Sequence, residues 1–143
     1  MSPAPSLDTA TLAVLLADLL PAQAESGLPA GDAGRFQSFV REHACEASAQ
    51  TLLDTLSSLA PEGYAGLDAG RRQALVGTLR RKHLRQFAEF FSLAIQCYCL
   101  DPRVLVLLCG SARPPFPDGF TVPDGNLELL EAVYERGPCY RQC

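Results

Sequence analysis

Apolar residues recur at intervals of three and four along most of this chain, and no sustained stretch alternates apolar with polar residues. Intervals of three and four bring side chains to one face of an α-helix, whereas a half-buried strand would need a period of two. The clearest group is Leu12, Leu15, Leu16, Leu19 and Leu20. The pattern predicts an all-α fold, a single small helical domain of five to seven helices.

Aspartates and one proline mark where the predicted helices begin. An aspartate carboxylate at the N-cap accepts a hydrogen bond from a backbone N–H group that the helix itself leaves unpaired. Proline suits the first helical turn, because its missing N–H group is not needed there. The predicted starts are Asp8 or Thr9, Asp32, Asp68 and the pair Asp101-Pro102.

Two long helical patterns lie between these starts. The pattern that begins at Asp32 can run on to Leu59, with a break near residues 45–49. A later pattern is apolar over much of its circumference, so we expect it to be the central and most buried helix. The residues that mark its main face are Leu84, Phe87, Phe91, Ala94 and Tyr98.

A proline-rich stretch separates the helices from the end of the chain. Three prolines and two phenylalanines lie between Arg113 and Phe120. Proline cannot continue a helix, so we expect an extended chain from Gly110 to Pro123, then one short helix. We predict a helical domain over residues 1–110 and, within the same domain, a C-terminal arm with a short terminal helix over residues 111–143.

Length and charge exclude several classes of protein. With 143 residues, one domain is the default. The net charge is −4 and the arginines are scattered. A nucleic-acid partner is not expected, because binding phosphates needs a concentrated basic face. The longest strictly apolar run, Val104 to Cys109, is too short to cross a bilayer, so we expect a soluble chain without a membrane span.

The N-terminal apolar stretch loosely resembles a signal peptide. It has no basic residue before it, and Asp8 and Asp18 lie where a signal peptide avoids acids. We therefore expect a first amphipathic helix and a cytoplasmic location. A periplasmic location is the alternative if a leader was removed or a partner carries the signal.

The six cysteines raise the question of a metal site or disulfides. Cys97 and Cys99 are two apart on a predicted helix, which turns their side chains about 200° from each other. Cys139 and Cys143 have a workable ligand spacing but lie at the chain end. Free thiols are the favoured interpretation, and disulfides or a metal site stay open.

No pattern of catalytic residues stands out. The chain has no glycine-rich phosphate loop, no nucleophile elbow and no dinucleotide fingerprint. His43 and Cys45 would point apart on a helix. We therefore expect a protein that is not an enzyme and holds no cofactor. The basic stretch from Arg71 to Arg85 is either a solvated face or a docking surface for an acidic partner.

Three segments together resemble a known family. "TLAVLLADLLPAQAESGLPAGDAGRFQSFV" resembles the opening of gluconate 2-dehydrogenase subunit 3 proteins. "FAEFFSLAIQCYCLDPRVLVLLCGSARPPFPDGF" and "NLELLEAVYERGPCYRQC" resemble later parts of the same family. The order and spacing of the segments carry the resemblance, which covers most of the chain.

The resemblance implies a non-catalytic small subunit that binds and stabilises a flavin-dependent sugar or alcohol dehydrogenase. The large partner would be of the glucose–methanol–choline oxidoreductase type and would hold FAD, and a cytochrome c subunit often completes such complexes. The first alternative is a chaperone or adaptor for export or maturation of that flavoprotein. The second, less favoured alternative is a cysteine-based metal-binding protein. The cysteine content is high for the family, and no twin-arginine leader is visible.

The arm is the predicted partner-binding site. Prolines lose little conformational freedom on docking, and large aromatic rings serve as anchors. The alternative is that both rings fold back on the helices of this chain. The predicted partner-binding residues are Arg113, Pro114, Pro115, Phe116, Pro117 and Phe120.

Overall fold

The computed structural model describes residues 7–113, 119 and 125–137. Within these residues the chain forms α-helices and no strand, so the all-α prediction is confirmed. The helices are α1 (Thr9–Leu19), α2 (Ala33–Glu42), α3 (Glu46–Leu59), α4 (Ala69–Lys82), α5 (Leu84–Cys99), α6 (Pro102–Cys109) and α7 (Glu131–Arg136).

The predicted aspartate caps are confirmed. Each carboxylate accepts a hydrogen bond from a backbone N–H group two or three residues further on, as the local chemistry requires. The bonds run from Ala10 to Asp8 (3.2 Å), from Arg35 to Asp32 (2.8 Å), from Arg71 to Asp68 (3.0 Å) and from Arg103 to Asp101 (2.8 Å). Pro102 occupies the first turn of α6.

The break between α2 and α3 lies at residues 43–45, slightly before the predicted region and overlapping it only at Cys45. Ala44 adopts a positive φ of 53°, which a right-handed helix cannot contain. The Cys45 N–H group then bonds to the Val40 carbonyl at 2.7 Å and closes the end of α2. No glycine marks this reversal, so its position is not visible in the sequence.

The core forms around α5, which packs against α2, α3, α4 and α6. Phe36 of α2 and Phe90 of α5 meet with ring centroids 5.1 Å apart, and both are fully buried. The prediction of a central helix is therefore confirmed. Its buried face consists of Phe87, Phe90, Ala94 and Cys97. The expectation that α5 is the most buried helix is wrong, since half of its residues are exposed, a larger share than in α3.

Leu84 corrects the predicted face of this helix. It was expected on the buried side, but 64% of its surface is exposed. Leu84 is the first residue of α5 and directly follows His83, which ends α4. The chain turns at this point, so the described helices leave most of Leu84 uncovered.

The predicted terminal helix is present. A 3-10 turn over Leu127–Leu130 leads directly into α7. All the residues of α7 are exposed. Among the described residues no single helix is both long and apolar enough to cross a bilayer, and α5 with α6 meets that test only as a pair bent by 76°.

Candidate docking surface

An ion cluster holds the start of α6 against the rest of the fold. Asp101 is 4% exposed, and its Oδ2 lies 2.8 Å from Arg103 Nη2 and 3.4 Å from Arg35 Nε. The hydrogen bond from Arg103 holds the pKa of Asp101 below its ordinary value, against the opposing effect of burial. The carboxylate thus caps α6 and links it to α2 through Arg35.

The apolar stripe of α6 continues past the part that the fold covers. Val104 and Leu105 are buried, and Leu108 lies one turn further on the same side of the helix. Leu108 is nevertheless 62% exposed. Leu107, three residues after Val104 and therefore beside this stripe, is about half exposed. We call the exposed residues Leu107 and Leu108 the α6 ridge.

The predicted partner-binding residues follow the α6 ridge directly. Arg113 is exposed, and its backbone N–H group donates a hydrogen bond to the Ser111 hydroxyl at 3.1 Å. The other five residues, Pro114, Pro115, Phe116, Pro117 and Phe120, lie outside the residues that the structure describes. Both hypotheses for the two rings therefore stay predictions.

The basic stretch divides into two groups of arginines. Arg72 has a structural role, since its Nε donates to Asp18 Oδ2 at 2.8 Å and its Nη1 to the Leu67 carbonyl at 2.7 Å. The Tyr64 hydroxyl donates to the same Asp18 oxygen at 2.7 Å. Burial, together with this bond, raises the pKa of Tyr64. The cluster ties α1 to the start of α4.

The cations at the end of α4 differ from Arg72. In the part of the chain that the structure describes, Arg80, Arg81 and Lys82 form no ion pair. Arg85, one turn later, pairs with Glu89 at 3.0 Å. Sequence alone did not separate these groups, because the acidic partner of Arg72 lies 54 residues away.

The described cysteines are free thiols in different surroundings. Cys97 is buried, and burial raises the pKa of its thiol. Cys99 is exposed on the opposite side of α5, as the spacing predicted. Cys45 lies in the break between α2 and α3, where its thiol donates to the backbone carbonyl of His43 at 3.2 Å. Its bond is therefore to the backbone and not to the imidazole.

His43 lies in the same break, and its Nδ1 is 2.8 Å from the Phe39 carbonyl. His43 and Cys45 do not share a helix, because Ala44 between them has a positive φ, and each side chain contacts a backbone carbonyl instead of the other. Over residues 7–113, 119 and 125–137, no three His, Cys, Asp or Glu side chains form a group that could hold a metal ion. Cys139 and Cys143 lie outside these ranges.

Comparison with known proteins adds no assignment. No family model, no curated protein and no solved structure matches this chain. The resemblance to gluconate 2-dehydrogenase subunit 3 proteins stays a prediction.

Proposed function

We propose that this chain is a non-catalytic small subunit that binds and stabilises a flavin-dependent dehydrogenase of the glucose–methanol–choline type. The partner would contain the FAD and the active site, and a cytochrome c subunit could complete the complex. The sequence resemblance supplies the class of partner. The geometry supplies a surface on which such a partner could dock.

The observation that carries the proposal is the α6 ridge. A helix buries its apolar stripe where another element covers it, and Leu108 continues the stripe of Val104 and Leu105 into solvent. Exposed apolar surface of this kind is typical of a protein–protein contact. In the sequence the ridge comes shortly before the proline-rich stretch, which is the predicted partner-binding segment.

The rigid attachment of α6 supports the same proposal. Asp101 is buried and bound by two arginines, so the ridge is held in a fixed orientation before any partner arrives. Preorganisation of this kind reduces the entropic cost of association. The ridge would contribute apolar contact area, and Arg113 would pair with a carboxylate at the rim.

The test is purification of the tagged chain from its native host, followed by identification of bound proteins by mass spectrometry. We expect a dehydrogenase whose oxidised-flavin absorbance elutes with the small chain. Leu108→Asp should weaken this association by at least about tenfold, since it places a charge in an apolar contact. The isolated chain should carry no flavin and show no dye-linked dehydrogenase activity.

Leu84→Asp is the matched control. Leu84 is as exposed as Leu108 but lies at the start of α5. It should leave the flavoprotein association unchanged, and both variants should retain wild-type helicity. Purification without a flavoprotein, or equal loss of binding in both variants, would overturn the proposal.

A further inference from the structure

An open groove of about 470 Å³ lies at the junction of α4 and α5. Its lining combines apolar and basic side chains, Gly77, Arg80, Arg81, Leu84, Phe87 and Ala88. We call it the α4–α5 groove. Leu84 is its one exposed large apolar residue, 64% exposed, and the Arg81 guanidinium lies beside Gly77.

Local helix chemistry explains only part of this groove. Cations are favoured in the last turn of a helix because they oppose the partial negative charge of the free carbonyl groups. This accounts for Arg80, Arg81 and Lys82 at the end of α4. It does not account for the exposed leucine at the start of α5, since exposure of Leu84 does not stabilise a solvated helix end.

The terminal helix has the complementary composition. Glu128, Glu131 and Glu135 are spaced by three and four residues, so they lie along one side of the segment Leu127–Arg136. Leu130, Val133 and Tyr134 are exposed, Tyr134 by 79%. The segment therefore presents an acidic side next to exposed apolar residues. A helix of this kind needs a basic and apolar surface in order to bury its apolar residues.

We propose that the segment Leu127–Arg136 of one copy of this chain docks in the α4–α5 groove of a second copy. The glutamates would face Arg80 and Arg81, and the exposed apolar residues of the segment would cover Leu84. Among the described residues Leu84 and Tyr134 both remain exposed, so both are available for a contact between copies. If each copy docks its segment in the groove of the other copy, the result is a closed dimer with twofold symmetry.

Apolar burial and charge have separate roles in this contact. The apolar side chains contribute most of the affinity, whereas exposed charges mainly set orientation and association rate. The contact should weaken with salt, because the Debye length falls from about 30 Å at 0.01 M to about 3 Å at 1 M. The segment is short, so we expect a weak and concentration-dependent dimer.

The test is sedimentation velocity of the purified, untagged full chain without any other protein. Between about 1 µM and about 1 mM, the average mass should rise towards that of a dimer, as expected for a weak interface. High salt should lower the dimer fraction. A chain that stays monomeric at the upper concentration in low salt would overturn the proposal, including the case in which the segment folds on its own copy.

Charge reversal identifies the two surfaces. The double variants Arg80→Glu/Arg81→Glu and Glu131→Lys/Glu135→Lys should each dimerise at least about tenfold more weakly. A mixture of the two should form a heterodimer, because each then offers the other a complementary charge. Failure of the mixture to associate better than either variant alone would overturn the assignment.

Two further variants guard against loss of folding. Leu84→Asp removes the apolar contact without changing the arginines and should also abolish the dimer, while circular dichroism confirms wild-type helicity. Arg41→Glu/Arg71→Glu makes the same change in net charge at exposed positions outside the groove. It should leave the dimer unaltered, and a dimer equally weakened by this control would contradict the proposal.

A third variant separates this contact from the proposed flavoprotein surface. The Leu108→Asp chain should dimerise as the wild type does.

Discussion

Asp101 shows how one buried side chain can organise a functional surface. Capping a helix requires only one acceptor oxygen from the Asp101 side chain. The carboxylate also binds the guanidinium of Arg103 and lies within 3.4 Å of Arg35. A buried charge without partners would be strongly destabilising. Here both arginines reach the solvent, so the cluster keeps much of its hydration while it holds α6 in place.

The first prediction separates the charge of Asp101 from its capping role. Asn is as good an N-cap as Asp, so Asp101→Asn should keep the cap and lose the ion cluster. We expect the free energy of unfolding to fall by about 1.5–3 kcal/mol in urea denaturation, the range for hydrogen bonds to charged groups. Asp68→Asn is the control, since Asp68 caps α4 in an exposed position. An equal effect at both sites would show that the cluster adds no stability.

The second prediction concerns pH. The folded-state pKa of Asp101 lies below its unfolded value, which is about 3.9. The folded protein therefore favours the ionised form, and this stabilisation is present above the unfolded pKa and lost as pH falls through the folded pKa. The difference in unfolding free energy between wild type and Asp101→Asn should be constant near neutral pH and shrink below about pH 4. A difference that grows in acid would contradict the assignment.

Helix α6 is the element on which the proposed function depends. Asp101 fixes its beginning, and Gly110 ends it with a φ of 72°. The Gly110 N–H group bonds to the Val106 carbonyl at 3.0 Å. A positive φ at this position suits glycine, because a side chain would meet its own backbone. The end of α6, and with it the exit of the arm, is therefore set by one residue.

The third prediction tests this helix end. Gly110→Ala should lower the free energy of unfolding by about 1 kcal/mol, from backbone strain alone, since no atom lies within 4 Å of the added methyl group. Gly66→Ala is the control, because its added methyl group also meets nothing and its φ is not positive. It should leave the urea midpoint nearly unchanged. A loss in the control as large as that at Gly110 would rule out the left-handed cap as the cause.

At the scale of the whole molecule, the described core lies within the first helices. Every described member of the main core cluster falls between Leu7 and Cys97, and α6 adds Val104 and Leu105. Tyr64 and Asp18 join parts of the chain 46 residues apart. The predicted helical domain over residues 1–110 therefore contains a core of its own, whereas the assignment of residues 111–143 to the same domain stays a prediction.

The fourth prediction uses truncation to test this organisation. A chain that ends at Gly110 should keep its helicity and unfold cooperatively, with stability reduced by less than about 1 kcal/mol, as expected when no core side chain is removed. Thermal and urea unfolding followed by circular dichroism measure this. Loss of cooperative unfolding would mean that Phe116 or Phe120 folds back on the helices, and it would remove those rings from the partner surface.

Sequence alone was sufficient for the features that depend on near neighbours. A helix and its cap are decided within about four residues, because both the hydrogen bonds and the shared face span that distance. The aspartate caps, the short helix after Asp101 and the separation of Cys97 from Cys99 could therefore be predicted correctly. The proline-rich arm lies mostly outside the described residues, so its extended course stays a prediction.

Only the tertiary structure decided which side chains the fold covers. Leu84 and Leu108 have the spacing of buried residues, but burial depends on whether a distant helix reaches them. Arg72 and Arg80 belong to one basic run, yet among the described residues only Arg72 of the two pairs with a carboxylate, which comes from α1. The reversal at Ala44 likewise occurs without a local signal. Both proposed contact surfaces follow from such differences, since each consists of residues that local pattern places in the interior or on a solvated face.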